Sequence, residues 1–408
     1  MSEWQKIKIS QIADFNTESV NKNFNHNTIE YIDTSSVEEG RLVNTQKILL
    51  KEAPSRAKRR VKENDILISS VRPNLKHFYF VNHCKDNTIV STGFVVITPK
   101  KGTDPKFLYY LLTTDSYTQY LTQIANSHTS TYPSFNPDVI ANSVLSIPPL
   151  DEQKAIASVL SCLDAKIENL RKQNETLESI AQTLFKHWFI DFEFPNDDGK
   201  PYKSSGGEMR STELGEIPKD WRVEGLDSIA DFLNGLALQK YPPENENVFL
   251  PVIKIRELKS GITNNTDKAN KDIPSQYIID NGDVIFSWSG TLEVVIWCFG
   301  KGALNQHLFK VTSNKYPKWF YYQWTLHHLS NFQAIAKSKA TTMGHIQRKH
   351  LTEALCCIPT DKQLRFFDGI LTPILNKKIR NSLQIQTLTK TRDELLPKLM
   401  SGQIRVKE

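Results

Sequence analysis

DEQKAIASVLSCLDAKIENLRKQNETLESIAQTLFKHW fills residues 151–188 without a proline or a glycine. Within it Leu163, Ile167, Leu170, Asn174, Leu177, Ala181 and Leu184 follow one another at spacings of four and three, the seam of a coiled coil. Asp151 and Glu152 supply the negative first turn that a helix dipole favours, and Pro195 with Gly199 closes the segment. At 1.5 Å per residue the helix is about 57 Å long. Asn174 is the one polar residue on the seam, where it either fixes register and partner or sits solvated.

So long a helix with an apolar stripe needs a partner. The partner lies in the same chain, at residues 361–396, where Leu375, Ile379, Leu383, Leu388, Leu395 and Leu399 are the apolar candidates. Its periodicity is looser. Pro373 predicts a break or kink, and Pro397 the helix end, because proline removes a helical donor. An antiparallel pair would place a globular part at each end.

The globular parts are two copies of one unit. Trp4 precedes IADF (12–15) by eight residues, and Trp221 precedes a second IADF (229–232) by eight. The register continues through ENDILIS (63–69) against NGDVIFS (281–287) and FLYYLL (107–112) against WFYYQW (319–324). It ends with IPPLDEQ (147–153) against IPTDKQ (358–363) and LDAKIEN (163–169) against LNKKIRN (375–381). The segments start at offsets between 211 and 218 residues, too long a period for a solenoid. Within each copy short β-like runs such as 65–71, 78–81 and 88–98 are punctuated by Gly, Pro and Asn. The expected fold is therefore mixed α+β, with two α/β domains joined by two long antiparallel coiled-coil helices in a pseudo-twofold repeat. The predicted boundaries are 1–150, first domain; 151–194, first helix; 195–213, polar linker; 214–360, second domain; 361–400, second helix with its break near 373; and 401–408, tail.

Hydrophobic content of 39% and charged content of 24% are those of an ordinary globular protein. The net charge of +6 mildly favours an anionic partner. The first residues lack an apolar leader, and the longest apolar run, 294–299, falls far short of a membrane span, so a cytoplasmic protein without a membrane partner is expected. Cys84, Cys162, Cys298, Cys356 and Cys357 show no zinc spacing and read as reduced structural thiols.

Catalytic signatures fail. There is no GxxxxGK[ST], HExxH or GxSxG, and NPDV (136–139) lacks the second proline and aromatic of an adenine methyltransferase motif. Asp138, Glu152 and Lys154 satisfy a loose metal-nuclease pattern, yet Glu152 and Lys154 open the long helix, and the second copy reads Asp361, Lys362 and Gln363 instead. DNA-facing chemistry is better represented. KEAPSRAKRRVK (51–62) carries six basic residues against one acidic and nominates Arg56, Lys58, Arg59, Arg60 and Lys62 for phosphate contact, followed by Arg72 and Lys76. SHTSTYPS (127–134) and KSKATTMGH (337–345) occupy matching places before the two long helices. They nominate His128, Thr129, Ser130, Thr131, Tyr132, Lys337, Lys339, Thr341, Thr342 and His345, with Ser289 beside them, for contacts with base edges. Each of these residues also has an ordinary reading as solvated charge or turn former.

Several motifs taken together resemble the specificity subunits of Type I restriction-modification systems over nearly the whole chain. These are IPPLDEQKAIASVLSCLDAKIENL (147–170), SIAQTLFKHWFIDFEF (179–194), GKPYKSSGGEM (199–209), ELGEIPKDW (213–221) and LLPKLMSGQI (395–404). The resemblance implies two target recognition domains, each reading half of a bipartite site in double-stranded DNA. It also implies helices that set the spacing and dock two modification subunits, and motor-nuclease restriction subunits in the larger assembly. S-adenosylmethionine, ATP and Mg²⁺ would then sit on the partners, with no cofactor or metal and no catalysis on this chain. The second copy departs from the pattern at Pro373 and in the shorter IPTDKQ. Two rivals predict different behaviour: a nuclease would cut DNA unaided with Mg²⁺, and a coiled-coil scaffold binding proteins would show no DNA affinity even with its partners.

Overall fold

The computed structural model describes residues 3–128, 132–245, 247–338 and 344–406. The chain divides into two compact units, 1–166 with 389–408, and 167–388. The division falls inside both long helices, so each unit contains a stretch of each.

The duplication in the sequence is a duplication of sheets. In the first unit Ala13–Phe15, Phe94–Pro99, Ile66–Ser69 and Phe78–Phe80 lie in that order as an antiparallel sheet, and ILIS is buried throughout because it is the inner strand. In the second unit Asp231–Asn234, Leu308–Thr312, Val284–Ser287 and Val294–Ile296 repeat the order, with VIFS as the buried inner strand. Each unit has a second four-stranded sheet containing one parallel pair, Thr28–Ile32 with Thr88–Ser91, and Leu250–Ile253 with Gly302–Leu304. Helices cover the antiparallel sheets. Pro105–Leu112 starts at Asp104, whose carboxylate accepts from the Phe107 amide at 2.9 Å, and its buried face packs on the first core. Lys318–Ser338 does the same in the second unit, burying Trp319, Phe320 and Trp324.

Each domain is closed by a two-stranded antiparallel ribbon. Gln5–Lys8 pairs with Val144–Ile147, just before the first long helix, and Arg222–Gly225 pairs with Leu355–Ile358, just before the second. The first long helix runs Leu150–Phe185 and ends in a π-helical turn, Lys186–Ile190. The second runs Asp361–Met400. It is unbroken at Pro373, and it passes Pro397 by three residues, correcting the break and the end expected there. Pro373 and Gly369, four residues earlier, both face solvent. The carbonyl that loses its donor can therefore turn to water, while the buried Leu371 and Leu375 hold the helix on the core.

Within each unit the helices run antiparallel. In 167–388, Asn174 Nδ2 donates to Ser382 Oγ at 3.0 Å, Asn381 Nδ2 to Gln173 Oε1 at 3.3 Å, and Lys378 pairs with Glu178. In the other unit Arg392 meets Asp164 at 2.8 Å, and Arg405 pairs with Glu152. Of the nominated seam residues Ile167, Leu170 and Leu375 are buried, and Leu163, Asn174, Leu177, Leu184, Ile379, Leu383, Leu388 and Leu395 are half-buried.

The second core titrates. Burial and the neighbouring His327 lower the pKa of His328 to about 4, while its Nε2 lies 3.0 Å from the Leu355 carbonyl. A depressed histidine stabilises the fold above its ordinary pKa of 6.5, and that contribution disappears as pH falls from 6.5 toward 4. We expect unit 167–388 to lose about 3 kcal/mol over this window, on the scale of 1.4 kcal/mol per pKa unit. Urea unfolding at pH 7.5 and 4.5 measures it, and His328→Gln should flatten the dependence.

Candidate nucleic-acid interface

In the first unit the strand Ile66–Ser69 delivers the chain into a loop held by the segment preceding the first long helix. Phe135 N donates to Ser70 O at 3.0 Å, Arg72 N to Pro133 O at 2.8 Å, and Val71 bridges Ser134. Arg72 and Lys76, both with left-handed backbone (φ 48° and 54°), flank the turn Pro73–Leu75. The exposed Arg72 guanidinium lies 5.4 Å over the ring of Tyr132, which is 67% exposed. Lys76 is tied to Asp115 at 2.8 Å. Burial opposes its charge, but Asp115, Glu39 and Asp393 outweigh burial and raise its pKa.

The basic stretch divides in two. Arg56, Lys58 and Lys62 are exposed. Arg59 is half-buried and donates to Asn16 Oδ1 and the Phe94 carbonyl, and burial lowers its pKa. Arg60 pairs with Glu18 at 3.3 Å and lies 5.7 Å from the Phe24 ring centre. Arg59 is thus engaged within the domain, while Arg60 is paired at its surface with 37% of its side chain exposed.

The second unit repeats the arrangement with other side chains. Ser289 bridges His345, Gly290 N donates to Gly344 O at 2.9 Å, and Ile346 N to Trp288 O at 3.1 Å. Ser289 is buried, so direct base contact is corrected; its Oγ lies 3.0 Å from His307 Nδ1. Trp288 donates to Asn234 Oδ1 at 2.9 Å, with its ring 6.1 Å from that of His307 and 6.3 Å from that of His345. Gly235 lets the 305–307 turn approach, because a Cβ there would meet the Asn305 carbonyl oxygen at 2.3 Å. His345 and Lys337 are exposed. Thr129, Ser130, Thr131, Lys339, Thr341 and Thr342 lie outside the described residues, as does the side chain of His128.

Asn234, Trp288, Gln306 and His307 escaped the sequence reading because they are scattered over some seventy residues. The usable signal was NQH (305–307), which stands in the duplication where the first copy has only STG (91–93). The loose nuclease set also separates in role. Glu152 accepts from Arg405 and from Trp4 Nε1 at 3.3 Å, and Lys154 lies 3.8 Å from Asp151.

Residues 1–179 and 218–384 match the Type I restriction modification DNA specificity domain, one match for each copy of the repeat. The chain belongs to this family, as a specificity subunit. It is 32% identical to the Type I restriction enzyme MjaIX specificity subunit of Methanocaldococcus jannaschii, over 81% of this chain and 76% of that one. It is 24% identical to the HindI specificity subunit of Haemophilus influenzae, over 99% of this chain and all of that one. The crystal structure of the Type I system S subunit from M. genitalium shares its fold at a TM-score of 0.57 and 15% identity, covering 97% and 96% of the two chains. Among the described residues of the specificity subunit, no helix is long and apolar enough to cross a membrane.

For this specificity subunit the exposed cations give a salt-dependent expectation. Replacing Arg56, Lys58 and Lys62 together by alanine should weaken DNA binding and reduce the slope of log K against log salt by about 2–3, near 0.9 per phosphate contact. An unchanged slope in a filter-binding titration would remove these three from the interface.

Proposed function

We propose that this specificity subunit reads a bipartite site in double-stranded DNA, one half with each α/β domain, and docks two modification subunits on its helices. The observation that carries this reading is that the loop-to-loop junction, Val71–Ser134 in one copy and Ser289–His345 in the other, recurs at equivalent places with different side chains. Two copies of one scaffold with unlike surface chemistry suit the reading of two unlike half-sites. Two weak contacts joined by a stiff spacer bind together at high effective concentration. Catalysis then belongs to the partners: modification subunits with S-adenosylmethionine, and motor-nuclease subunits with ATP and Mg²⁺.

The test is to express the chain with its cognate modification subunit in a methylation-free host and map modified adenines across the genome. A two-part motif with an unread spacer, absent without this chain, is the expected result. A formed complex with no such motif would overturn the reading and favour a protein-binding scaffold.

A further inference from the structure

We propose that Gln306 is the residue with which the second domain reads an adenine, and that Ser289 and His307 are its positioning residues. The assignment rests on the DNA-reading role proposed above and deepens it.

Gln306 lies in the turn between the strands Gly302–Leu304 and Leu308–Thr312, pinned by its backbone N–H to the Leu236 carbonyl at 2.9 Å. Its side-chain Nε2 lies 3.4 Å from His307 Nε2, and His307 Nδ1 lies 3.0 Å from Ser289 Oγ. The direction of this chain follows from chemistry. A carboxamide nitrogen only donates, so His307 Nε2 accepts, the neutral ring carries its proton on Nδ1, and that proton goes to Ser289 Oγ. The buried Ser289 thereby fixes the imidazole, and the imidazole fixes the plane and sense of the carboxamide.

One amide hydrogen is used in this way. The other, with Oε1, has no protein partner among the described residues, and Gln306 is half-buried beside the Ser289–His345 junction. A donor and an acceptor side by side on a held carboxamide match N7 and the N6 amino group of adenine in the major groove. Orienting the amide in advance removes the ordering cost that a free glutamine would meet on binding. In the first domain the equivalent turn carries the exposed Thr92 and the half-buried Gly93, since Phe94 pairs with Ser69 as Leu308 pairs with Ser287. The two domains thus present different readers on one scaffold.

The experiment is the same genome-wide adenine map, run with substituted chains and the modification subunit. Gln306→Ala should make one base pair in one half of the motif degenerate, with selectivity there falling about tenfold or more and the other half unchanged. Gln306→Glu should shift that position toward cytosine, because a carboxylate accepts from the cytosine amino group but cannot donate to adenine N7. His307→Phe and Ser289→Ala should relax the same position, whereas a merely structural role would lower methylation at every site alike. Where Gln306→Ala yields no complex, the near-isosteric Gln306→Glu carries the test. A motif that keeps its selectivity in Gln306→Ala and Gln306→Glu overturns this assignment alone. No motif with the unsubstituted chain overturns the proposed function and this assignment with it.

Discussion

Replacing Trp221 by alanine is expected to lower the stability of unit 167–388 by about 3–5 kcal/mol, the range for emptying a large aromatic site in a core. Trp221 is 1% exposed. It stacks on Phe194 at 5.1 Å between ring centres, has Phe189 at 5.4 Å and Phe192 edge-on at 5.7 Å, and donates from Nε1 to Gln363 Oε1 at 2.9 Å. The three phenylalanines come from the segment after the first long helix, and Gln363 from the start of the second. Losing the indole therefore loosens the connection between helix end, linker and domain, and leaves Gln363 Oε1 with only its Thr360 donors. Urea unfolding of the full chain, followed by hydrogen exchange in this unit, measures the loss; under 1 kcal/mol would refute the role. Trp4, its counterpart in the first copy, is only half-buried, against Arg405 and Gly402, so Trp4→Ala should cost clearly less.

The second large effect concerns Lys378 and Glu178, each with 22% of its side chain exposed. Burial works against the Lys378 charge, but Tyr322 and Glu178 outweigh it and hold its pKa above the ordinary lysine value. Burial in turn pushes the Tyr322 hydroxyl up to about 12, so it stays neutral and lies 3.3 Å from Lys378 Nζ. Removing one member leaves a charge in a poorly solvated seam, and Glu178→Ala should cost about 3 kcal/mol or more. The double variant Glu178→Leu with Lys378→Met should recover most of that loss, because it leaves neither charge uncompensated. A double-mutant cycle decides the matter: additive losses, with no coupling above about 0.5 kcal/mol, would reduce the pair to a surface contact.

Much of the architecture was legible because it follows from period. Spacings of four and three in 151–188 require a helix with a stripe, and two IADF segments in the same register require a repeated sheet, as Ala13–Phe15 and Asp231–Asn234 bear out. Pro373 misled for a local reason: a helix tolerates the lost hydrogen bond and ring clash of a proline more readily where the freed carbonyl can reach water and the flanking residues are held on a core, and sequence does not tell which side faces out. The candidate nucleic-acid surface was legible only in part. Charge density pointed to 51–62, but charge alone does not distinguish Lys58, which faces solvent, from Arg59, which a neighbouring strand captures through Phe94 O. Pairing between Ser289 and His345, or between His307 and Ser289, depends on how the sheet brings distant turns together, and no local pattern encodes it.

The two-stranded ribbons carry a consequence for how such a chain can change. Where Gln5–Lys8 lies beside Val144–Ile147, and Arg222–Gly225 beside Leu355–Ile358, the polypeptide enters and leaves each domain at one narrow neck. A body whose two chain ends lie side by side can be replaced by a foreign one without rethreading the remainder, provided the newcomer also packs on the long helices as Phe107 does with Leu160 and Trp319 with Phe367. The crossover points for a graft are therefore the ribbons themselves, and under the proposed function a chimera cut there should change the half-site it reads while its long helices stay the same.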